Sequence, residues 1–230
     1  MQPNSNMAYD RTIVVFSPDG RLLQVEYARQ AVQRGNTVVG LKTNEIIVLG
    51  ATKSDAPLLE NNVHKKISEI DDHVGVVSSG LLADARDIIE NARVKAQIHE
   101  LTYGENISVT SLMRHIAGNI HMVTQYAGVR PYGIGLLVGG VDDSPHLFET
   151  DPSGTMIEWK AQSIGKGAEK AKKILEKRYK DSMKKEDAVK LVISALKAGE
   201  KILTTDTVEL AVITKNDFKQ FSDEELRKLL

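Results

Sequence analysis

Apolar residues in the first third of the chain fall into short runs that are typical of strands. Two such runs, 37–41 and 46–49, are separated by a short polar turn and predict a β-hairpin. A second pair of runs, 66–70 and 73–78, predicts another hairpin. The central strand sets are apolar at nearly every residue, which is the pattern of strands that are covered on both faces of a sheet.

The next part of the chain changes to helical spacing. Apolar residues from Leu82 to Ala96 recur in alternating steps of three and four, so they form one stripe on a helix. This pattern predicts a long helix that starts near Leu81 and ends at Tyr103. A second amphipathic helix is predicted directly after Ser108.

The second half of the chain repeats the order of strands followed by helices. The predicted segments are strands at 133–141, 146–150 and 155–160, helices at about 167–180 and 186–200, strands at 208–214 and 218–221, and a closing helix with a capping box at Ser222 and Glu225. Blocks of this kind argue against a doubly wound parallel sheet and favour an α+β fold. Two sheets between two helix layers would cover both faces of each sheet.

The N-terminal segment has a pattern of its own. Residues 1–8 are polar and aperiodic, which predicts a mobile tail. A Ser-Pro-Asp-Gly turn at 17–20 precedes a short amphipathic helix, for which Gly35 is the expected C-terminal cap. We therefore divide the chain into an N-terminal tail, turn and helix at 1–34 and a sandwich at 35–230, within a single domain overall.

Composition excludes several classes of protein. The chain has 230 residues and no cysteine, so neither a disulfide framework nor thiolate chemistry is expected. A net charge of −1 gives no global attraction to nucleic acid or to an anionic membrane. The longest apolar run, 134–141, is too short to span a bilayer, and the N-terminus lacks the apolar region of a secretory signal. We expect a cytoplasmic protein with no nucleic-acid or membrane partner.

No cofactor or metal site is predicted. The six histidines are scattered, and His115 and His121 are six residues apart, on different helix faces. The Gly-Lys-Gly segment at 165–167 lacks the other residues of a phosphate-binding loop. The lysine-rich helix that follows has interleaved acidic residues, which favours a solvated face over a nucleic-acid interface.

Several uncommon blocks occur in one order along the chain. They are Tyr9-Asp10-Arg11, Ser17-Pro18-Asp19-Gly20, Gln24-Val25-Glu26-Tyr27-Ala28-Arg29, Ser79-Gly80-Leu81, Gly128-Val129-Arg130-Pro131-Tyr132-Gly133 and Asp151-Pro152-Ser153-Gly154. In these blocks the chain resembles the α-type subunits of the 20S proteasome, in their archaeal-like form. The resemblance covers nearly the whole chain and weakens after about residue 200.

The resemblance implies a four-layer αββα sandwich, shared with the Ntn hydrolases. It also implies a subunit that forms the outer heptameric ring with other α subunits, fourteen copies in each particle. The ring would contact the proteasome β subunits, gate the entry of unfolded protein substrates and receive the C-terminal tails of ATPase activators. The sequence leaves open whether one or several α types share the ring.

Three residues are implied to form the pocket that binds the activator. The Lys66 ammonium would pair with the carboxylate at the end of an activator tail, Gly35 would allow close backbone approach and Leu81 would supply apolar contact. The simpler interpretations are an exposed lysine at a strand end, a helix cap and a core leucine.

Five residues resemble the cluster that holds the gate open: Tyr9, Asp10, Arg11, Pro18 and Tyr27. The tail would have two conformations of similar free energy, one across the pore and one held upright near the Pro18 turn. The competing interpretation of Tyr27 is that it packs the first helix against the sandwich.

The implied subunit is not an enzyme, and no catalytic residue is expected. The family's catalytic β subunits use an N-terminal threonine with its own amine as base, supported by a lysine and an acid. Here Thr37 is preceded by residues that look structural, and Lys53 stands where the acid is expected; only the lysine, as Lys66, is retained. The alternative is a β-like Ntn threonine peptidase, which would require cleavage before Thr37.

Overall fold

The computed structural model describes residues 14–54, 58, 65–200 and 203–230. Its helices are α1 (Leu23–Arg34), α2 (Leu82–Tyr103), α3 (Val109–Val123), α4 (Ala168–Arg178), α5 (Lys185–Gly199) and α6 (Asp223–Leu229). Its strands are β1 (Val38–Lys42), β2 (Ile47–Thr52), β3 (Ile67–Asp71), β4 (Val74–Gly80), β5 (Ile134–Val141), β6 (Pro145–Thr150), β7 (Ile157–Glu158), β8 (Ala161–Ile164), β9 (Val208–Thr214) and β10 (Asp217–Gln220).

The strands form two antiparallel sheets of five strands each. The order in the first sheet is β10-β9-β2-β1-β8, and in the second it is β3-β4-β5-β6-β7. Antiparallel hairpins supply most of the neighbouring pairs, because consecutive strands such as β1 and β2 are joined by short turns. The second sheet follows the order of the chain throughout.

Three apolar layers hold the sandwich together. The middle layer lies between the two sheets and includes Val38, Leu49 and Leu137. A second layer packs α2 and α3 on the outer face of the second sheet, and a third packs α4 and α5 on the outer face of the first sheet. The layers are therefore helix, sheet, sheet and helix, as the αββα prediction requires.

Local sequence signals explain most of the element ends. The Ser108 side chain accepts a hydrogen bond from the backbone N–H of Ser111 and so caps the start of α3. Gly104 ends α2 in the left-handed conformation, with φ of 71°. Ser222 and Glu225 form the predicted capping box at α6. Both predicted hairpins and all predicted helices of the sandwich are present.

The segment around residue 160 differs from the prediction. A strand was expected over 155–160, but β7 spans only Ile157–Glu158, and the chain then crosses to the first sheet as β8. β8 pairs with β1, so that Ser163 lies opposite Val39. The short run at 161–164 was missed because Ile164 is its one strongly apolar residue, and because its partner strand is distant in the sequence.

Candidate functional site

Several elements meet at one end of the sandwich. Here α1 ends, β1 begins, and the first strand pair places Val38 opposite Ala51. Glu209, at the start of β9, lies opposite Ala51 on the other side of β2. Three of the residues singled out from the sequence, Gly35, Lys66 and Leu81, lie at this end of the fold.

The end of β4 connects these three residues. The backbone N–H of Ser78 donates to the carbonyl of Lys66 at 3.3 Å. The Ser79 hydroxyl donates to the carbonyl oxygens of Val32 and Asn36, on either side of Gly35, at 3.1 and 3.0 Å. Leu81 follows Gly80 directly in the chain. A segment of four residues thus brings the three predicted residues together.

Gly35 is the C-terminal cap of α1, but it is not in the left-handed conformation, since its φ is −65°. The requirement for glycine at this position is steric. A Cβ atom there would overlap the Ser79 hydroxyl and the backbone nitrogen of Gly80. Close approach between the end of α1 and the end of β4 therefore depends on the absence of a side chain.

Lys66 lies just before β3 and is only 7% exposed. Burial lowers the pKa of its ammonium, the Glu209 carboxylate opposes that shift and the nearby Lys166 adds to it. Within the part of the chain that the structure describes, no carboxylate lies within 4.0 Å of the Lys66 ammonium. Lys66 is therefore not an exposed lysine at a strand end, and no described residue supplies a close opposite charge to its ammonium.

A second lysine borders the same region. The backbone N–H of Lys166 donates to the Gly35 carbonyl at 2.9 Å. Its ammonium lies 3.2 Å from a carboxylate oxygen of Glu200, so its charge is paired. Lys166 thus differs from Lys66 in having a close carboxylate.

Leu81 is 47% exposed, so it is not the core leucine of the simpler interpretation. Its backbone N–H donates to the Gly133 carbonyl at 3.0 Å. Gly133 itself donates its N–H to the Asp84 carboxylate at 2.8 Å. The same carboxylate accepts two hydrogen bonds of 2.7 Å from the Arg130 guanidinium. These bonds fix the start of α2 and with it the backbone of Leu81.

The Asp84–Arg130 pair was not recognised in the sequence. Arg130 lies in one of the blocks that carried the resemblance, but its separation of 46 residues from Asp84 gives no local signal of contact. Asp84 is 7% exposed on a helix face whose other buried residues are apolar. A carboxylate at such a position indicates a specific partner. The hydrogen bonds from Arg130 hold the pKa of the Asp84 carboxyl below its usual range; burial opposes this shift and the Gly133 N–H adds to it.

Pro18 lies in the predicted turn. The Gly20 N–H donates to the Ser17 carbonyl at 2.8 Å, and Gly20 has φ of 73°, which favours glycine. Tyr27, on α1, is 46% exposed, so its side chain is not part of the core. Tyr9, Asp10 and Arg11, together with the tail predicted at 1–8, lie outside the described residues.

An ion pair holds α1 to the second sheet. The Arg29 guanidinium donates to the Asp151 carboxylate at 2.7 Å and to the Glu26 carboxylate at 2.6 Å. Burial would raise the pKa of Asp151, but hydrogen bonds from Ser153, Thr155 and Arg29 outweigh it and lower the pKa. The sequence predicted a turn here but not its contact with α1.

Thr37 is fully buried within the continuous chain. Its hydroxyl donates to the Glu200 carboxylate at 3.0 Å and accepts from the Gly167 N–H at 3.0 Å. The preceding carbonyl, of Asn36, is bonded to the Ser79 hydroxyl. The Thr37 hydroxyl is thus hydrogen-bonded to two other parts of the fold. The residue before it, Asn36, is also hydrogen-bonded, through its carbonyl.

Within the described ranges, no group of three or more histidine, aspartate or glutamate side chains is arranged to hold a metal ion. Among the same residues, no helix combines the length and the apolar character needed to cross a membrane.

Two family models of known proteins match the chain, one over the sandwich and one over the N-terminal segment. The family model for proteasome subunits matches residues 32–213, and the model for the N-terminal signature of the A-type proteasome subunits matches residues 9–31. The chain is 48% identical to the proteasome α subunit of Pyrococcus horikoshii, over 96% of this chain and 86% of that protein. It is also 48% identical to the proteasome α subunits of Methanobrevibacter smithii and Methanothermobacter thermautotrophicus, over 100% and 99% of this chain and 94% of each relative.

Proposed function

Because the chain belongs to the proteasome subunit family and is of its α type, we propose that it is a non-catalytic subunit of the 20S core particle. In this proposal it forms the outer heptameric ring, gates the entry of unfolded proteins and docks the C-terminal tails of ATPase activators. The particle then degrades proteins through its β subunits, in the cytoplasm.

The observation that carries the docking proposal is the environment of Lys66. The residue is 7% exposed, the end of β4 links its backbone to Gly35 and Leu81, and no carboxylate among the described residues lies within ion-pair distance of its ammonium. A terminal carboxylate from a partner would supply the missing opposite charge. Charge-assisted hydrogen bonds of this kind are strong because a partly desolvated site screens them little.

The test of docking is the pair of variants Lys66→Ala and Lys65→Ala. The two lysines are adjacent, but Lys65 is exposed and Lys66 is buried. We expect Lys66→Ala to abolish stimulation of protein degradation by an ATPase activator, in particles reconstituted with β subunits, while Lys65→Ala keeps it. Normal stimulation of the Lys66→Ala particle would exclude this residue from the docking site.

The gating proposal divides the chain at residue 34. Residues 1–34 would form the gating segment, and 35–230 the sandwich of a single domain. Pro18 in its hydrogen-bonded turn and Tyr27 on α1 would hold the segment together with Tyr9, Asp10 and Arg11. Deleting residues 2–12 should raise the basal entry of peptides into a reconstituted particle, and unchanged hydrolysis would contradict a gating role.

Assembly with other subunits is supported by apolar side chains on the outer face of α2. Val94, Ile98 and Leu101 are 52%, 53% and 87% exposed, which is unusual for a helix that faces only water. Native mass spectrometry of the purified chain tests ring formation. Seven or fourteen copies would support the ring, whereas a monomer would make assembly dependent on β subunits or count against the ring.

The non-catalytic assignment is supported by Thr37. A threonine peptidase needs the free amine of its nucleophile as the base, and here the threonine hydroxyl is bonded to Glu200 and Gly167. Intact-mass analysis distinguishes the β-like alternative. A mass that starts at Met1 or Gln2 supports the proposal, and one that starts at Thr37 with peptidase activity overturns it.

A further inference from the structure

Glu209 is a carboxylate in the apolar layer between the two sheets. It lies at the start of β9 and shares the inward face with Ala211 and Ile213, since side chains of a strand alternate between its two faces. The residue is 5% exposed. A buried carboxylate is costly unless its oxygen atoms are fully bonded, so its contacts indicate what it does.

The two oxygen atoms of Glu209 have different partners. Oε2 accepts hydrogen bonds from the backbone N–H groups of Lys66 and Ile67, each at 2.9 Å. Oε1 lies 3.5 Å from the ammonium of Lys53, whose side chain is 15% exposed. One oxygen therefore holds the backbone of the opposite sheet, and the other is neutralised by a lysine from its own sheet.

We infer that Glu209 is a positioning residue that fixes Lys66 for the docking of a peptide terminal carboxylate, an inference that rests on the proposed function of Lys66. β3 is an edge strand, and its ladder with β4 begins at Ile67 opposite Val77. Lys66 precedes that ladder. Its carbonyl is held by the N–H of Ser78, and its own N–H is held by Glu209 from the other sheet. The backbone from which the ammonium extends is thus fixed on both sides.

Lys53 completes the arrangement. Because the Glu209 carboxylate is shared between two backbone N–H groups and the Lys53 ammonium, it does not form a close ion pair with Lys66. The Lys66 ammonium keeps its capacity for an incoming carboxylate. The lysine at position 53, which stands where a catalytic acid was expected, therefore acts as the counter-ion of Glu209.

The test measures how strongly the terminal carboxylate of the ligand contributes to binding. The probe is a fluorescent peptide that copies the C-terminal tail of a proteasomal ATPase activator, made with a free carboxylate and with a terminal amide. Binding to assembled particles gives the ratio of the two Kd values. For the wild type we expect a ratio of roughly tenfold, the size of one charge-assisted hydrogen bond.

Glu209→Met removes both acceptor oxygen atoms at similar volume, and we expect the ratio to fall towards one. Glu209→Gln keeps one acceptor for the two N–H groups, and it should restore most of the ratio. Val212→Ala, on the same strand but in the layer that faces the helices, is the matched control for lost stability. It should lower the thermal stability and leave the ratio unchanged.

Each outcome decides the inference. A wild-type ratio near tenfold that persists in Glu209→Met overturns it and leaves the docking role of Lys66 standing. A wild-type ratio near one overturns the docking proposal, and the inference fails with it. If Glu209→Met does not assemble, Glu209→Asp withdraws the carboxylate by one methylene while keeping its charge, and it must lower the ratio for the inference to hold.

Discussion

The Lys66 side and the Leu81 side of the candidate docking site are both held by a carboxylate, but in different ways. Glu209 holds the Lys66 side from the opposite sheet through two backbone N–H groups. Asp84 holds the Leu81 side through one backbone N–H and the guanidinium of Arg130, whose side chain is 60% exposed. The first anchor is internal to the sandwich, whereas the second extends to the surface.

This difference shows that a buried carboxylate in a mainly apolar strand or helix can connect separate parts of the fold. Both carboxylates are more than nine-tenths buried, so each carries a desolvation cost that backbone donors and a cation offset. Glu209 joins the two sheets, and Asp84 joins a loop to the start of a helix. The variants below test the strength of the Asp84 anchor and of the contact at Gly35 that joins the two sides.

The largest effect is expected for Asp84→Ala. It leaves the buried Gly133 N–H without its acceptor and removes two hydrogen bonds from Arg130, so the free energy of unfolding should fall by about 3 kcal/mol. Chemical denaturation measures this change. The control is Asp87→Ala on the same helix, which loses one hydrogen bond of 3.1 Å from Tyr132 among the described residues and should cost about 1 kcal/mol or less. Equal losses of unfolding free energy in the two variants would show that the hydrogen bonds of Asp84 stabilise the fold no more than the bond of Asp87 does.

Gly35→Ala tests the contact that joins the two sides. Its Cβ would overlap the backbone of Gly80 as well as the Ser79 hydroxyl, so a loss of roughly 1–3 kcal/mol is expected. Gly118→Ala is the matched control, because a Cβ at this exposed helical position meets no atom within 4 Å. That variant should be neutral or more stable by about 0.5–1 kcal/mol. Thermal unfolding of both variants decides whether close approach is the reason for glycine at position 35.

The pH dependence of the unfolding free energy isolates the contribution of the charged Asp84 carboxylate. The pKa of Asp84 is lowered from 3.8 in the folded state, so its contribution is present above that value and is lost as the pH falls through the folded pKa. The difference in unfolding free energy between wild type and Asp84→Asn should shrink across that acidic range. A difference that is constant with pH would contradict a charged anchor.

The smallest effect is expected for Lys219→Met. Lys219 forms an ion pair of 2.6 Å with Glu225, closer than the 3.5 Å pair of Lys53 and Glu209, but its side chain is 48% exposed. Solvent screens such pairs, so we expect no resolvable change in the unfolding midpoint. A loss as large as that of Asp84→Ala would mean that ion pairing, rather than buried backbone bonding, sets the strength of the anchors.

Periodicity in the sequence predicted the sandwich well, because hairpins and amphipathic helices are local. Ser108, Gly104 and the capping box at Ser222 act within a few residues and marked the ends of their helices. The strand β8 was missed because its partner β1 is remote along the chain. The close approach of Gly35 to the end of β4 was not predicted, because the two segments are remote along the chain, and its role in the activator pocket stays a prediction.

The sequence by itself determined the elements, their layers and the family to which the chain is similar. Only the tertiary structure decided that Lys66 is buried, that Leu81 is exposed and that Asp84 meets Arg130. The physical reason is distance along the chain: Glu209 bonds to residues 142 and 143 positions away. Local propensity contains no information about such contacts, because they form only when the two sheets pack face to face.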